Sequence, residues 1–492
     1  MISKKFLKSS FIYSVVGALP YVSSIVLIPL FTHKISPQDI GVNAIYLSIL
    51  FFIQIFSSFC LESYVMVHLF EFKNNPEKLK ESFGTVVFSL TALGIFILLI
   101  TAIFGDCIFG LLFNNSISFF PWGFLTVLTA IFNGFYKVYC NILISQQRSV
   151  KFFIINILNF SFVITLSILL VYIFPNSLAG PVLGRTLGFG INFILILFSL
   201  RKEFGFKFKR EVITDIVKYC YPLLLYSVFS WVISYIDRFV IKHYLVDPSY
   251  VGIFDIAVRC TLAIELFQTG VSNAIYPKVF NLLKDSLVAE SSPEVNRYYN
   301  VFTAIILFII PLFNIFVPLL IPLVIDKKIY YEAFNFINIL SLGFATRILF
   351  SYFFSPILFY KKTKILPKIF FYTAIFQIII SIILIKNFQL IGAAWASFAI
   401  KPIQVLFLYF ESRKIFKFKF NKIKLLYLPM FFIVMVVASE LLFFRQYLLF
   451  KSIIIFFITS ILIFFIYRKE LLLFYNQLVK AIKRRTDIVI EN

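Results

Sequence analysis

The sequence predicts an all-α integral membrane protein with about 14 transmembrane helices. Of its 492 residues, 61% are hydrophobic and only 14% are charged, and the mean hydropathy is +0.94. A water-soluble chain of this length cannot hide so much apolar surface. The apolar residues form continuous runs long enough to cross a hydrocarbon core as helices, unlike the alternating ten-residue segments of a membrane β-barrel.

Fourteen apolar runs of about twenty residues or more are predicted to span the membrane. The first run follows three lysines and resembles a signal peptide, but its length and Pro20 favour a retained span. The predicted spans are residues 11–31, 40–61, 83–104, 119–144, 152–174, 178–200, 219–241, 250–276, 302–325, 334–359, 365–385, 390–410, 425–444 and 448–467.

The basic residues predict the orientation of these spans. With fourteen spans, 33 of the 46 lysines and arginines fall on the side of the two termini and seven on the opposite side. Cytoplasmic loops of membrane proteins carry such an excess of Lys and Arg. We therefore expect both termini to be cytoplasmic, in a multi-pass protein of a bacterial cytoplasmic (inner) membrane.

Two short motifs recur at an offset of about 211 residues. Pro37-Gln-Asp-Ile-Gly41 matches Pro248-Ser-Tyr-Val-Gly252, and Ser177-Leu-Ala-Gly180 matches Gln389-Leu-Ile-Gly392. The repeat predicts two pseudo-symmetric six-helix lobes of the same orientation, and transporters built in this way bind substrate between their halves. The predicted domains are residues 1–210 (spans 1–6), 211–412 (spans 7–12) and 413–492, which hold two extra, peripheral spans and a basic cytoplasmic tail.

Four basic residues inside spans are candidate substrate contacts: Lys137, Arg185, Arg347 and Lys401. None has a carboxylate within four residues of sequence, and the repeat offset relates Lys137 to Arg347 and brings Arg185 within one helical turn of Lys401. A cation in hydrocarbon is costly, so these side chains are expected to face protein or water. Cations from both halves suit an anion, and Arg favours the oxygens of phosphate or carboxylate.

A second charged group surrounds the turn between spans seven and eight. Asp237, Arg238, Asp255 and Arg259 are expected to form an ion-pair cluster that acts as a gate, with direct substrate contact as the alternative. Buried carboxylates also couple transport to H⁺ or Na⁺ in some carriers, and Glu265 and Asp255 are the candidates for this role. Three other carboxylates lie near span ends and are expected at the membrane interface: Glu62, Asp106 and Glu440.

Several function classes have no support in the sequence. No metal-binding, phosphate-loop or nucleophile motif occurs, so no cofactor, metal or catalytic residue is expected. The five cysteines lack any paired spacing and are expected to be packing residues. The basic residues lie between apolar spans, so the net charge of +23 favours anionic membrane lipids as partners and no nucleic acid.

Five motifs in order resemble those of Wzx-type O-antigen and exopolysaccharide flippases. These proteins form the polysaccharide transporter branch of the multidrug/oligosaccharidyl-lipid/polysaccharide superfamily. The strongest match is Tyr221-Pro222-Leu, Ser234-Tyr-Ile-Asp237-Arg238-Phe-Val-Ile241 and Val251-Gly-Ile-Phe254. The others are Ser36-Pro-Gln-Asp-Ile-Gly41, Ile339-Leu-Ser-Leu-Gly343 with Lys361-Lys-Thr363, and Ile391-Gly-Ala-Ala-Trp-Ala-Ser397.

The resemblance implies a V-shaped fold of two lobes that works by alternating access. Its implied cargo is an undecaprenyl-diphosphate-linked oligosaccharide, a repeat unit of O-antigen (lipopolysaccharide), capsule or exopolysaccharide, moved from the cytoplasmic to the periplasmic leaflet. Polysaccharide polymerase or assembly proteins are the implied protein partners. The related lipid II flippases carry arginine in the first span, whereas residues 11–31 hold no charge here. This departure argues against a peptidoglycan precursor as cargo.

Two rival functions remain at this point. A drug or cation extruder of the same superfamily would need acidic residues in the first lobe, whose interior is basic here. A membrane polysaccharide polymerase, ligase or glycosyltransferase would need a large extracytoplasmic loop, and the predicted outer loops are short. The sequence therefore favours a flippase that is not an enzyme.

Overall fold

The computed structural model describes residues 13, 16–17, 19–72, 75–284, 293–360, 362–416, 419–442 and 448–490. All regular elements in these residues are helical. Eleven of the described helices are long and apolar enough to cross a membrane. One of them contains both the eleventh and the twelfth predicted spans. The all-α membrane class is therefore confirmed, while the start of the first predicted span lies outside the described residues.

The helices follow the predicted spans closely in order, and most of them are longer. In the first part of the chain they are α1 (Leu19–Val26), α2 (Ile28–Lys34), α3 (Pro37–Ser58), α4 (Leu61–Glu71), α5 (Pro76–Phe113), α6 (Trp122–Ser145), α7 (Ser149–Ile173) and α8 (Ala179–Phe204). They continue as α9 (Arg210–Leu245), α10 (Pro248–Lys284), α11 (Pro293–Val324), α12 (Phe334–Phe359), α13 (Leu366–Ser412), α14 (Leu428–Leu442) and α15 (Leu448–Ile490).

The chain forms two compact units that each combine distant segments. The first contains the residues up to Arg259 together with Ile325–Tyr330 and Leu366–Ala393. The second contains Cys260–Val324, Tyr331–Ile365 and the residues from Ala394 onward. The predicted boundaries at residues 210 and 412 rest on the sequence repeat and stay a prediction.

The first two predicted spans are each interrupted, for different reasons. The first is divided at Leu27 into α1 and α2, and Pro29 stands in the first turn of α2, where its missing N–H breaks the helical hydrogen-bond ladder. The second ends at Phe59 and Cys60, which both adopt the left-handed conformation, with φ of 46° and 55°. This backbone conformation is strained for residues other than glycine, and here it redirects the chain into α4.

The two copies of the repeated turn pack against each other in the first unit. A Cβ on Gly41 would lie 1.7 Å from the carbonyl oxygen of Pro248, and a Cβ on Gly252 would lie 2.9 Å from that of Pro37. These backbones approach so closely only because both residues lack a side chain. The starts of α3 and α10 are therefore held together by the residues that the repeat singled out.

The last two spans pack onto the second unit through a buried ion pair. In the second unit, Glu440 on α14 accepts a hydrogen bond from Asn338 on α12 at 2.8 Å, and it pairs with Lys451 on α15 at 3.0 Å. The side chains of Glu440 and Lys451 are only 3% and 4% exposed. A buried carboxylate needs such partners, so Glu440 is internal rather than interfacial and ties α14 and α15 to the rest of this unit.

Candidate functional site

A buried ion-pair cluster joins α9 and α10 within the first unit. Asp255 Oδ1 accepts hydrogen bonds from Arg238 Nε and Nη2 at 3.1 and 2.9 Å. Its Oδ2 accepts from Arg259 Nε at 2.6 Å. Arg259 follows Asp255 by four residues on the same helix face. The turn around Asp247 brings Arg238 to the other side of the Asp255 carboxylate. One carboxylate thus neutralises part of the charge of two guanidinium groups.

Asp237 is turned toward a different helix from its neighbour Arg238. Its Oδ1 accepts hydrogen bonds from Gln377 Nε2 at 2.8 Å and from Ser381 Oγ at 2.5 Å. Successive residues of a helix point about 100° apart, which separates the two side chains. Gln377 and Ser381 are one turn apart in the eleventh span and fully buried. Sequence reasoning missed them, although two polar residues four apart in an apolar run were a visible signal.

Arg185 on α8 is the least neutralised of the predicted cations. Its side chain is partly exposed, and within the described part of the chain it has neither a hydrogen-bond acceptor nor an ion-pair partner. It lies near enough to Arg259 and Asp255 for their charges to act on it. The first unit therefore has more guanidinium groups than carboxylates in this region, as an anion site requires.

A small recess, with room for about one water molecule, opens beside Arg259 in the first unit. Asn43 on α3 lies in its wall and is only 2% exposed, and its Oδ1 has no hydrogen-bond partner among the described residues. A buried amide oxygen without a partner is uncommon and favours a polar occupant such as water. The residues around the recess are Ile28, Phe31, Thr32, Ile40, Asn43, Ile256 and Arg259.

Lys137 on α6 has a carboxylate partner that lies far away in sequence. Its Nζ contacts Glu62 Oε1 at 2.7 Å, and the two side chains are 46% and 11% exposed. Glu62 follows the left-handed residues Phe59 and Cys60, and the change of direction there carries it into the protein. The expectation that Glu62 is interfacial is therefore wrong, because the side chain is buried against Lys137. Asp106, by contrast, is exposed as expected.

Arg347 on α12 has a similar partner in the second unit. Its Nη1 donates to Glu265 Oε1 at 2.6 Å, and the side chains are 39% and 38% exposed. Glu265 comes from α10, so this pair joins the second and the fourth span of the second sequence repeat, whereas Glu62 lies on α4, directly after the second span of the first repeat. A charged pair that is open to its surroundings at the middle of long apolar helices requires water rather than lipid beside it.

Lys401 also belongs to the second unit and lies against α12. Its Nζ is 4.6 Å from the centre of the Phe344 ring, a cation–π contact. A Cβ on Gly343 would lie 2.3 Å from Lys401 Cδ and 2.5 Å from its Nζ. The bare backbone of Gly343 therefore sets the path of the lysine side chain. Lys401 and Arg347 share the second unit with Glu265, so cations are again in excess there.

Solved structures of membrane transporters share this fold. The lipid II flippase MurJ in an inward closed conformation is 18% identical, with a TM-score of 0.69 over 95% of this chain and 99% of that chain. An inward-facing multidrug resistance transporter of the MATE family is 13% identical, with a TM-score of 0.59 over 84% and 96%. A MOP superfamily transporter from Pyrococcus furiosus is 11% identical, with a TM-score of 0.56 over 84% and 96%.

The sequence comparisons define the family. A search of curated proteins gave no significant match. The model of the family described as "Polysaccharide biosynthesis protein" matches residues 34–329, which is more than half of the chain. The resemblance inferred from the motifs is thereby confirmed: this chain belongs to the polysaccharide biosynthesis protein family and has the fold of the MOP superfamily transporters.

Proposed function

We propose that this protein is a flippase for an undecaprenyl-diphosphate-linked oligosaccharide, which it moves from the cytoplasmic to the periplasmic leaflet by alternating access. The observation that carries the proposal is Arg185, a partly exposed guanidinium group at membrane depth with no partner carboxylate among the described residues. An isolated guanidinium group at that depth is costly unless it serves an anion or faces water. Arg binds phosphate oxygens in a forked, bidentate geometry, which suits a diphosphate head.

The other predicted cations fit the same role. Lys137 and Arg347 are open to solvent on one side and contacted by a carboxylate on the other, and Lys401 lies against the Phe344 ring in the second unit. We infer that each of these cations is a contact for the anionic or sugar part of the cargo, while the polyprenyl tail stays in lipid. The cargo is then a repeat unit of O-antigen, capsule or exopolysaccharide, delivered to polymerase or assembly proteins in a bacterial inner membrane.

The ion-pair cluster has a different proposed role. Arg238 and Arg259 are almost fully buried and both bond to buried Asp255, which suits a gate or hinge better than a surface that binds and releases cargo. Asp237 belongs to this gate through its contacts with the eleventh span. Glu265 and Asp255 stay the candidates for coupling to H⁺ or Na⁺, tested by transport under an imposed or collapsed ion gradient.

A drug or cation extruder is the second candidate, because MATE transporters share the fold. Such a protein binds cations and needs unpaired carboxylates in its interior. Here the carboxylates Glu62, Asp255 and Glu265 each contact a basic residue, whereas Asp237 accepts hydrogen bonds from Gln377 and Ser381. The pairing of these three carboxylates supports an anionic cargo over a cationic one.

The decisive experiment follows the lipid-linked oligosaccharide between leaflets. Cells that lack the protein should accumulate it in the cytoplasmic leaflet, and purified protein in proteoliposomes should move it across. Arg185→Gln should abolish most of this movement. Normal surface polymer in a deletion strain with no second carrier, or proteoliposomes that transport organic cations instead, would overturn the proposal. Failure to replace a lipid II flippase in cells would support the distinction drawn from the uncharged first span.

A further inference from the structure

Two cations of the proposed substrate site are each held by one carboxylate. Lys137 pairs with Glu62 in the first unit and Arg347 with Glu265 in the second. The cation comes from the fourth span of its repeat in both cases, while Glu265 lies in the second span and Glu62 lies on α4, directly after it. A similar pairing therefore arises twice, from residues that are far apart in the chain, which indicates a function of the pairing itself.

The contacts of these pairs are single rather than forked. Glu62 binds Lys137 through Oε1 alone, and its buried Oε2 has no hydrogen-bond partner in the described residues. Arg347 reaches Glu265 through Nη1 only, although a guanidinium group has five N–H donors. Within the described residues, Glu62 thus keeps a spare acceptor and Arg347 keeps spare donors, so neither pair uses its full hydrogen-bonding capacity.

The Asp255 cluster provides the contrast within the same protein. Its two arginines and its carboxylate are 5–10% exposed and joined by three hydrogen bonds. Buried, multiply bonded charges are costly to separate, whereas a partly exposed pair with one contact is weak. Phosphate oxygens that bind Arg in a forked geometry can therefore displace Glu265, but they cannot displace Asp255 at similar cost.

We propose that Glu62 and Glu265 are internal counter-ions of Lys137 and Arg347, which the anionic head of the substrate displaces and which return to these cations when the substrate leaves. The inference rests on the proposed function, because only an anionic cargo competes with a carboxylate. Its consequence is that the two cations are neutralised in the loaded and in the empty carrier. The empty protein can then reset without uncompensated charge at membrane depth.

The test compares binding with turnover, because the counter-ion affects the two in opposite directions. Inorganic pyrophosphate is the binding probe, titrated calorimetrically into the purified full-length protein. Glu265→Gln and Glu62→Gln keep the side-chain shape and remove the competing charge, so each should tighten pyrophosphate binding by about three- to tenfold. Repeated flipping of lipid-linked oligosaccharide in proteoliposomes should become several-fold slower, because release and reset lose their counter-ion.

A matched control and a double variant make the test specific. Glu203 also pairs with an arginine, Arg148, with exposures of 22% and 41%, but outside the predicted spans, so Glu203→Gln should leave both readouts unchanged. In an Arg347→Gln background, Glu265→Gln should no longer tighten binding, because the cation that it released is gone.

The outcomes separate this inference from the proposed function. Glutamine variants that melt like the wild type but bind pyrophosphate equally or more weakly would overturn the counter-ion role, whatever the wild type transports. Tighter binding in these variants would support it even if the wild type moved no lipid-linked glycan, a result that would overturn the proposed function alone. Binding and turnover that fall together would indicate a structural role and would also overturn the inference.

Discussion

Gly41 at the start of α3 and Pro248 at the start of α10 are in backbone contact, so close that a Cβ on Gly41 would lie 1.7 Å from the Pro248 carbonyl oxygen. Both residues belong to the repeated turn. The second glycine of the pair, Gly252, would place a Cβ 2.9 Å from the Pro37 carbonyl. The contact therefore joins equivalent ends of two repeats on the side that the basic residues predict to be periplasmic.

Replacing Gly41 by Ala should loosen this contact. The added methyl group meets backbone atoms, which cannot move aside like a flexible side chain, so we expect destabilisation of about 1–3 kcal/mol. Gly252→Ala should cost less, because its nearest contact is longer. Thermal unfolding of the purified protein measures both effects.

Gly190→Ala is the control for this pair. A Cβ there would lie 3.3 Å from the ring of Phe132, a partly exposed side chain rather than backbone. We expect a change within about 0.5 kcal/mol. Equal melting temperatures for Gly41→Ala and Gly190→Ala would contradict the backbone contact.

Asp255 is predicted to be the most sensitive charged residue of the first unit. Asp255→Asn would leave Arg238 and Arg259 buried without their carboxylate, and breaking such a pair costs about 3–5 kcal/mol. Arg259→Gln should cost less, because Arg238 still neutralises the carboxylate. The measurement is the melting temperature and the yield of folded protein. An Asp255→Asn variant as stable as the wild type would show that the cluster is not a structural ion pair.

The pair of Glu440 and Lys451 should hold the last two spans in place. Glu440→Ala leaves a buried ammonium group and a buried amide of Asn338 without their acceptor, which should cost about 3–5 kcal/mol. Replacing both members of the pair by Met should cost less than this single change, because no buried charge remains. Glu81, which pairs with Lys209 and is 36% exposed, is the control, and Glu81→Ala should leave the melting temperature close to that of the wild type. Similar losses for the single and double changes would contradict the buried-charge argument.

The sequence predicted the helices better than their ends. Hydropathy detects the part of a helix that crosses lipid, but helices continue until polar residues cap them. The third span was predicted from residue 83, whereas its helix begins at Pro76, after Asn75 accepts a hydrogen bond from the backbone N–H of Lys78. Such caps lie in polar sequence that hydropathy reads as a loop. The breaks at Leu27 and Cys60 were missed for the related reason that the apolar run continues through them.

The candidate site was predictable only where its residues share one helix. Asp255 and Arg259 are four residues apart, so their contact follows from helical spacing. Glu265 and Arg347 are separated by 82 residues, and no periodicity encodes which faces of two distant helices meet. The sequence therefore identified the cations but gave Lys137 and Arg347 no partners. The sequence also predicted Glu62 at the membrane interface rather than in the interior. The position of a residue near the end of an apolar run says nothing about which helices pack against it.

Arg185 is predicted to matter for cargo and little for stability. Because no described residue bonds to its guanidinium group, Arg185→Gln should change the free energy of unfolding by less than about 1 kcal/mol. The loss of charge-assisted bonds to phosphate should weaken pyrophosphate binding by about 10- to 100-fold. Arg185→Lys should give an intermediate result, because it keeps the charge and loses the fork.

Arg148→Gln is the control for the Arg185 variants. Arg148 pairs with Glu203 outside the predicted spans, so its loss removes the same charge without removing a substrate contact. Calorimetric titration and thermal unfolding test both residues. An Arg185→Gln protein that unfolds early, or that binds pyrophosphate as the wild type does, would contradict the assignment of this residue to the substrate.

Gly343 is predicted to position Lys401. A methyl group at Gly343 would lie 2.3 Å from Lys401 Cδ and 2.5 Å from its Nζ, so the lysine must leave the Phe344 ring that it now covers. The displaced atoms are the far end of a flexible side chain, so the cost in stability should be small, about 1 kcal/mol or less. Transport should fall several-fold, because the ammonium group no longer lies where the substrate meets it.

In a Lys401→Gln background the Gly343→Ala change should have no further effect, since the effects of interacting residues are not additive. Gly270→Ala in the same unit, where a Cβ meets nothing within 4 Å, should leave transport unchanged and raise helix stability by up to about 1 kcal/mol. Additive losses from Gly343→Ala and Lys401→Gln would show instead that the glycine acts through some other contact.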